Sequence, residues 1–166
     1  IADLPQREAA FKAEESRNAA IKQLVTTVVV PDNVLHALGE TSQRFFDRTG
    51  IALAFDNRVR NLCLPPEREI EVFHIVQEAL ANVARHAHAT SATLLLDHTD
   101  DGYRLVVEDD GVGFAAASGA SGLDDSGHYG IAIMRERAHR LGGTITLGRA
   151  GGTGTRLELA FPTHPP

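Results

Sequence analysis

The sequence predicts an α+β fold, a two-layer sandwich in which helices cover one face of a single mixed sheet. Three observations carry this. Apolar and polar residues alternate, the period of a half-buried strand, at 51–56 and 155–161. Apolar residues recur at steps of three and four, the period of an amphipathic helix, over 66–88 and 131–141. The helices come in pairs with runs of antiparallel strands between them. That is not the strict strand–helix alternation of a dinucleotide fold.

Residues 7–28 are rich in helix formers, with Phe11, Ile21, Leu24, Val25 and Val28 as the larger apolar positions, and predict a helix. Its Glu-, Lys-, Arg- and Ala-rich first half reads as a solvated face or as the remnant of a connecting helix from an upstream domain. Thr26–Val30 is β-branched and Pro31 ends the segment. Asp32 is the expected cap of a helix over 33–48, with Val34, Leu35, Leu38, Phe45 and Phe46 inward and Gly50 as its stop. In Ile51–Asp56, Ile51, Leu53 and Phe55 alternate with Ala52, Ala54 and Asp56 as a strand requires. Asn57–Leu64 is a connector. Pro65-Pro66 opens a helix at 66–88, whose Glu67, Glu69 and Glu71 suit the positive end of the helix dipole. Thr93–His98 and Tyr103–Asp109 read as strands joined by a hairpin-like turn, Thr99-Asp100-Asp101-Gly102. Ala115–Ser126, small and polar apart from Leu123, is too poor in apolar residues to pack and reads as a mobile surface loop. A helix over Ile131–Leu141 is stopped by Gly142-Gly143. Thr144–Leu147 and Thr155–Phe161 are the last strands, and Pro162–Pro166 is a tail.

The composition bounds the function. With 166 residues, 43% of them hydrophobic and 23% charged, the chain suits one ordinary globular domain. No apolar run approaches the roughly 18 residues that span a bilayer. Ile1–Ala10 has charges and a proline where a signal peptide has an apolar stretch. The first residue is Ile, so a fragment of a longer protein is expected, and a membrane segment upstream is compatible with that. The net charge of −6 argues against a general grip on nucleic acid. It leaves an anionic nucleotide open, because backbone N–H groups and a metal ion can hold one locally. The single Cys63 excludes an internal disulfide and a thiolate metal cluster, and fits a cytoplasmic setting. Between Leu62 and Leu64 it is expected to be a small core residue.

The stretch that organises the chain is Gln77–His88. On a helix, Glu78, Asn82, Arg85 and His86 fall within about a quarter turn, opposite Phe73, Val76, Leu80, Val83 and Ala87. Every surface helix has a polar front, so this alone proves nothing. The sequel raises its weight. A strand ends in Asp109-Asp110-Gly111-Val112-Gly113, where a carboxylate can accept a ligand amine and the glycines let a flat ligand approach. A plain turn after a strand would read the same way. Gly127-His128-Tyr129-Gly130 then opens a helix, whose free N–H groups suit a phosphate, though a flexible helix entry is the ordinary reading. Gly151–Thr155 is a glycine-rich hairpin loop. On the helix front, Asn82 offers an amide oxygen to a hard cation such as Mg²⁺, Glu78 a base or a water-orienting group, and Arg85 a partner for phosphate. His86 and His88 point about 200° apart on a helix and cannot share a zinc ion there.

In this order and spacing the pieces resemble the GHKL ATPases, the superfamily of gyrase, Hsp90, histidine kinases and MutL. Glu78-x-x-x-Asn82 resembles their N box, Asp109-x-Gly111-x-Gly113 the first glycine box, Gly127–Gly130 the second, and Gly152-x-Gly154-Thr155 the last. Gln77–Ala89 and Gly127–Gly143 are most similar to the catalytic domains of nitrate/nitrite-sensor-type histidine kinases. The resemblance covers about Val34–Pro162. It implies the Bergerat fold over 32–162, with 1–31 as a linker helix or the end of a dimerisation hairpin. It implies ATP and Mg²⁺ as cofactors: Asp109 for the adenine amino group, Asn82 for Mg²⁺, Glu78 as catalytic base or its orienter, and Thr155 beside the adenine end. Gly111, Gly113, Gly127 and Gly130 would shape the site under an ATP lid, Ala115–Ser126. Arg85, His86, Tyr129 and Ile131 complete the implied binding set. The implied partners are the kinase's own dimerisation and phosphoacceptor domain and a response regulator with a LuxR-like output. Two departures stand out: Asp110 replaces the usual Asn and adds charge near the site, and the second glycine box is poor in glycine. None of the eight histidines has the Arg-x-x-x-Glu-Leu-His-Asp context of a phosphoacceptor, so the acceptor is expected elsewhere. Two other readings share these residues, a free-standing GHKL serine kinase of anti-sigma-factor type and a non-catalytic interaction module.

Overall fold

The structure is a computed structural model that describes residues 33–86, 88–113 and 125–164, the side chains of 86 and 125–129 excepted, together with residues 9 and 12. The helix expected over 7–28, the segment 1–31, most of the loop 115–126 and the end of the tail lie outside the described residues.

Helix α1, Val34–Thr49, is capped by Asn33, whose side chain accepts from the Leu35 N–H at 2.9 Å. The expected cap was Asp32, but the capping residue is the last one before the helical turn, and that is Asn33. Gly50 closes the helix at φ 71, donating its N–H to Phe46 O at 2.8 Å. Phe45 is buried and Phe46 is 48% exposed, against the expectation that both face inward. Neighbours on a helix lie about 100° apart and rarely share its buried stripe.

Strand β1, Ala52–Asn57, leads through the connector to α2, Pro66–His86. There Cys63 is exposed, not in the core; its N–H donates to Tyr103 Oη at 3.3 Å while its leucine neighbours are partly buried. Helix α2 stops two residues early, because His88 takes φ 49. Then follow β2 (Ser91–His98), β3 (Gly102–Asp109), α3 (Asp125–Arg140), β4 (Thr144–Ala150) and β5 (Gly154–Pro162).

The five strands form one sheet in the order β1-β2-β3-β5-β4. β1 and β2 are parallel and the other pairs antiparallel, which makes the sheet mixed, as expected. Register puts Leu94 opposite Val107, Val107 opposite Leu157, and Leu105 opposite Leu159. These residues share one face and join Val72, Ile75, Val76 and Leu80 of α2 and Met134, Ala138 and Leu141 at α3 in a single core. The opposite face is charged: Arg104 pairs with Asp97 at 3.3 Å, and Arg156 with Glu158 at 3.0 Å and with Glu108. Among the described residues, the helices therefore cover one face.

Other boundaries moved as well. α3 begins at Asp125, so Gly127–Gly130 is wound into the helix instead of preceding it. β4 continues to Ala150 because Gly148–Ala150 pairs with Gly154–Arg156. Pro162 ends β5 opposite Gly102 and is not tail.

Arg68 fastens the layers. Its buried guanidinium donates to Leu141 O at 2.7 Å, Pro162 O at 2.7 Å and Thr163 O at 2.6 Å. Glu71 adds a bridge to Arg137 at 2.8 Å and Arg140 at 3.1 Å.

Candidate active site

The candidate site residues lie at the end of β3, the start of β5, the front of α2 and the early turns of α3. Asp109 ends β3 on the helix-facing side, in phase with Leu105 and Val107. It is only 6% exposed. Its Oδ1 accepts from the Gly111 N–H at 2.9 Å and the Thr155 N–H at 3.3 Å. Among the described residues Oδ2 has no partner, which leaves one carboxylate oxygen for a ligand donor. The spaced glycines make this geometry. A Cβ at Gly154 would lie 1.7 Å from Asp109 O, so only glycine lets β5 start this close to β3. Gly113 has φ 83, and a Cβ there would meet Thr153 O at 2.3 Å. The first and last glycine motifs are thus one structure.

Asp110 turns the other way. Its carboxylate accepts from Ser91 N–H at 3.0 Å, Thr90 Oγ1 at 2.7 Å, Ser91 Oγ at 2.8 Å and Thr90 N–H at 2.8 Å. These hydrogen bonds, the Ser91 N–H first, hold it well below the usual carboxylate range. The charge expected near the site is engaged instead by Thr90 and by Ser91, the first residue of β2. The sequence reading missed Thr90 and Ser91; two hydroxyl residues just before a strand were the signal.

On α2, Asn82 Oδ1 is buried with no hydrogen-bond partner among the described residues. An unpartnered buried oxygen is costly unless a ligand satisfies it. An amide oxygen is a donor that Mg²⁺ accepts, so the residue fits the ion the resemblance implies. Glu78 pairs with Arg85, Oε1 to Nη2 3.4 Å, and Arg85 Nε donates to Ala81 O at 3.3 Å. Gly130 of α3 lies directly over Glu78: a Cβ there would stand 2.3 Å from Oε1.

The structure therefore gathers Glu78, Asn82 and Arg85 on one helix face with Gly130 against them, and Asp109 with Gly111, Gly113 and Thr155 at the strand ends. Ile131 packs into the core. The side chains of His86 and Tyr129 lie outside the described residues, and Gly127 contributes helical backbone. With α3 starting at Asp125, the unpaired N–H groups of its first turn fall at about residues 125–128, not at 130. No cluster of three His, Cys, Asp or Glu suited to a metal occurs among the described residues.

A model of the family described as "Histidine kinase-, DNA gyrase B-, and HSP90-like ATPase" matches residues 67–165. The nitrate/nitrite sensor protein NarQ of Escherichia coli is 31% identical over 145 residues, covering 85% of this chain and 25% of NarQ. The sensor histidine kinase LiaS of Bacillus subtilis is 29% identical over 158 residues, covering 94% of this chain and 41% of LiaS. The chain thus spans about a quarter to two-fifths of these relatives. Among solved structures, the histidine kinase domain of a blue-light activated kinase of Erythrobacter litoralis superposes with a TM-score of 0.65 at 23% identity, covering 90% of this chain and 75% of that one; at that identity the likeness shows the fold. The chain belongs to the histidine kinase-, DNA gyrase B- and HSP90-like ATPase family.

Proposed function

We propose that residues 32–162 bind ATP with its adenine amino group on Asp109 and its phosphates toward Asn82, Arg85 and the first turn of α3, and donate the γ-phosphate to a histidine in a dimerisation domain of the same protein. The observation that carries this is the Asp109 carboxylate, fixed through one oxygen by Gly111 and Thr155 and open at the other. Asn82 would hold Mg²⁺ through its unpartnered Oδ1. When bound, that ion offsets the phosphate charge. Glu78 would orient or deprotonate the incoming group. The N–P bond to the imidazole forms, the P–O bond to ADP breaks, and the imidazole gives up one proton. The protein's part is chiefly positioning and charge neutralisation.

Residues 1–31 serve as a linker or as the end of the dimerisation hairpin. The phosphate passes on to a response regulator, with a LuxR-like output as the finer expectation. The domain works in the cytoplasm, on a parent anchored in the inner membrane. No helix among the described residues is long and apolar enough to cross a membrane. No feature of the site favours a serine kinase or a non-catalytic module.

The full-length protein, given γ-labelled ATP and Mg²⁺, is expected to carry label in an acid-labile, base-stable form, as phosphohistidine does. Asn82→Ala should reduce labelling by at least about 100-fold, the scale of losing a key electrostatic contact. Label on a histidine of residues 1–166, or on serine, would sink the reading.

A further inference from the structure

The ion pair on the front of α2 does something that a phosphate contact by Arg85 leaves unused. Glu78 and Arg85 stand seven residues apart, two turns along one face. Each side chain is about a quarter exposed. Arg85 reaches back, with Nε on Ala81 O at 3.3 Å and Nη2 on Glu78 Oε1 at 3.4 Å. The same Oε1 is met from a different element. A Cβ on Gly130 would stand 2.3 Å from it and 3.2 Å from Cδ, so the carboxylate occupies the space where any other residue of α3 would put its side chain. Asn82, between the two partners on the helix, keeps its buried Oδ1 free.

We infer that Arg85 is a positioning residue for Glu78: with the bare backbone of Gly130 it forms a two-sided seat that holds the Glu78 carboxylate beside Asn82. This rests on the nucleotide site proposed above and adds a role to Arg85 and Gly130. The physical need is plain. A glutamate has three rotatable bonds, and a free carboxylate next to phosphates is repelled from them. A guanidinium on one side and close backbone on the other remove that freedom and offset that repulsion. The seat also spans two elements, so the second turn of α3, at Gly130, reports its placement to Glu78.

The test is phosphohistidine formation by the full-length protein over a range of Mg²⁺–ATP, for wild type, Arg85→Ala, Arg85→Lys, Glu78→Gln, the Arg85→Ala/Glu78→Gln pair and Gly130→Ala. Arg85→Ala should lower the rate at saturating ATP by about 10- to 100-fold, the cost of a misplaced group, and Arg85→Lys should recover part of it. In the Glu78→Gln background, Arg85→Ala should change the saturating rate less than about twofold, because both act through one carboxylate. Gly130→Ala should lower the saturating rate while leaving the melting temperature unchanged or raised, since alanine favours a helix and the displaced atom is the end of a movable side chain. Arg85→Ala raising KM alone, or effects that simply multiply, would show Arg85 to be a phosphate contact only and overturn the inference. A wild type that binds no ATP would instead overturn the site itself.

Discussion

Among the described residues, the buried Arg68 has no partner of opposite charge. Its three acceptors are backbone carbonyls at the end of α3 and β5. Burial pushes its pKa down, a cost that the three hydrogen bonds must outweigh. Removing it strands those carbonyls, so Arg68→Ala should lower unfolding stability in urea by about 2–4 kcal/mol. Arg68→Lys should recover little, because an ammonium cannot fork to three acceptors so placed. Asp110 teaches the complementary lesson. One position after Asp109, it serves a different partner, because successive residues at a strand end point to opposite sides. Residue type alone reads both as acids of one site; only the pairing of β2 with β3, which brings Thr90 and Ser91 alongside, separates them.

At the scale of elements, the glycines sort by what stands next to them. Gly152 and Gly154 lie in one motif. A Cβ at Gly152 meets nothing within 4 Å, whereas at Gly154 it runs into the backbone of Asp109. Gly154→Ala should therefore lower the melting temperature and weaken nucleotide binding together, while Gly152→Ala should leave both near wild type, as calorimetry and thermal melts would show. The elements legible in the sequence are those whose period their own residues carry. Leu94 and Leu96 mark a strand, and Val72 to Val83 a helix, whatever surrounds them. The start of α3 was not legible. Gly127, His128 and Tyr129 favour a helix weakly, and the contact of Gly130 with Glu78 is tertiary. Gly148–Ala150 likewise has no alternation, and joins β4 only through its register with β5. Cys63 shows the limit of reading from neighbours: between two leucines in a connector, it faces solvent. Glu78, Asn82 and Asp109 were legible because a helix face and a strand end fix where such residues point.

In the whole molecule, one apolar layer contact decides the arrangement of everything else. The sheet buries one face under the helices and keeps ion pairs such as Arg104–Asp97 on the other. The end of β3, the start of β5, the front of α2 and the early turns of α3 carry the four motifs from which one nucleotide site is proposed. In the proposed site no cluster of like charge is needed for an anion: at a net charge of −6, Arg85, the α3 N-terminus and an Mg²⁺ ion held by Asn82 would supply the positive field locally. The chain covers a quarter of the length of its relative NarQ.

The most direct test of the nucleotide site is calorimetric titration of this chain with Mg²⁺–ATP, beside Asp109→Asn. The asparagine keeps an oxygen for the Gly111 and Thr155 N–H groups but turns the free acceptor into a donor facing the adenine amine. Saturable one-to-one binding is expected, weakened about 10- to 100-fold in Asp109→Asn with the melting temperature little changed, as loss of one charged hydrogen bond requires. Equal affinity in the two proteins would contradict it, and would place the adenine elsewhere.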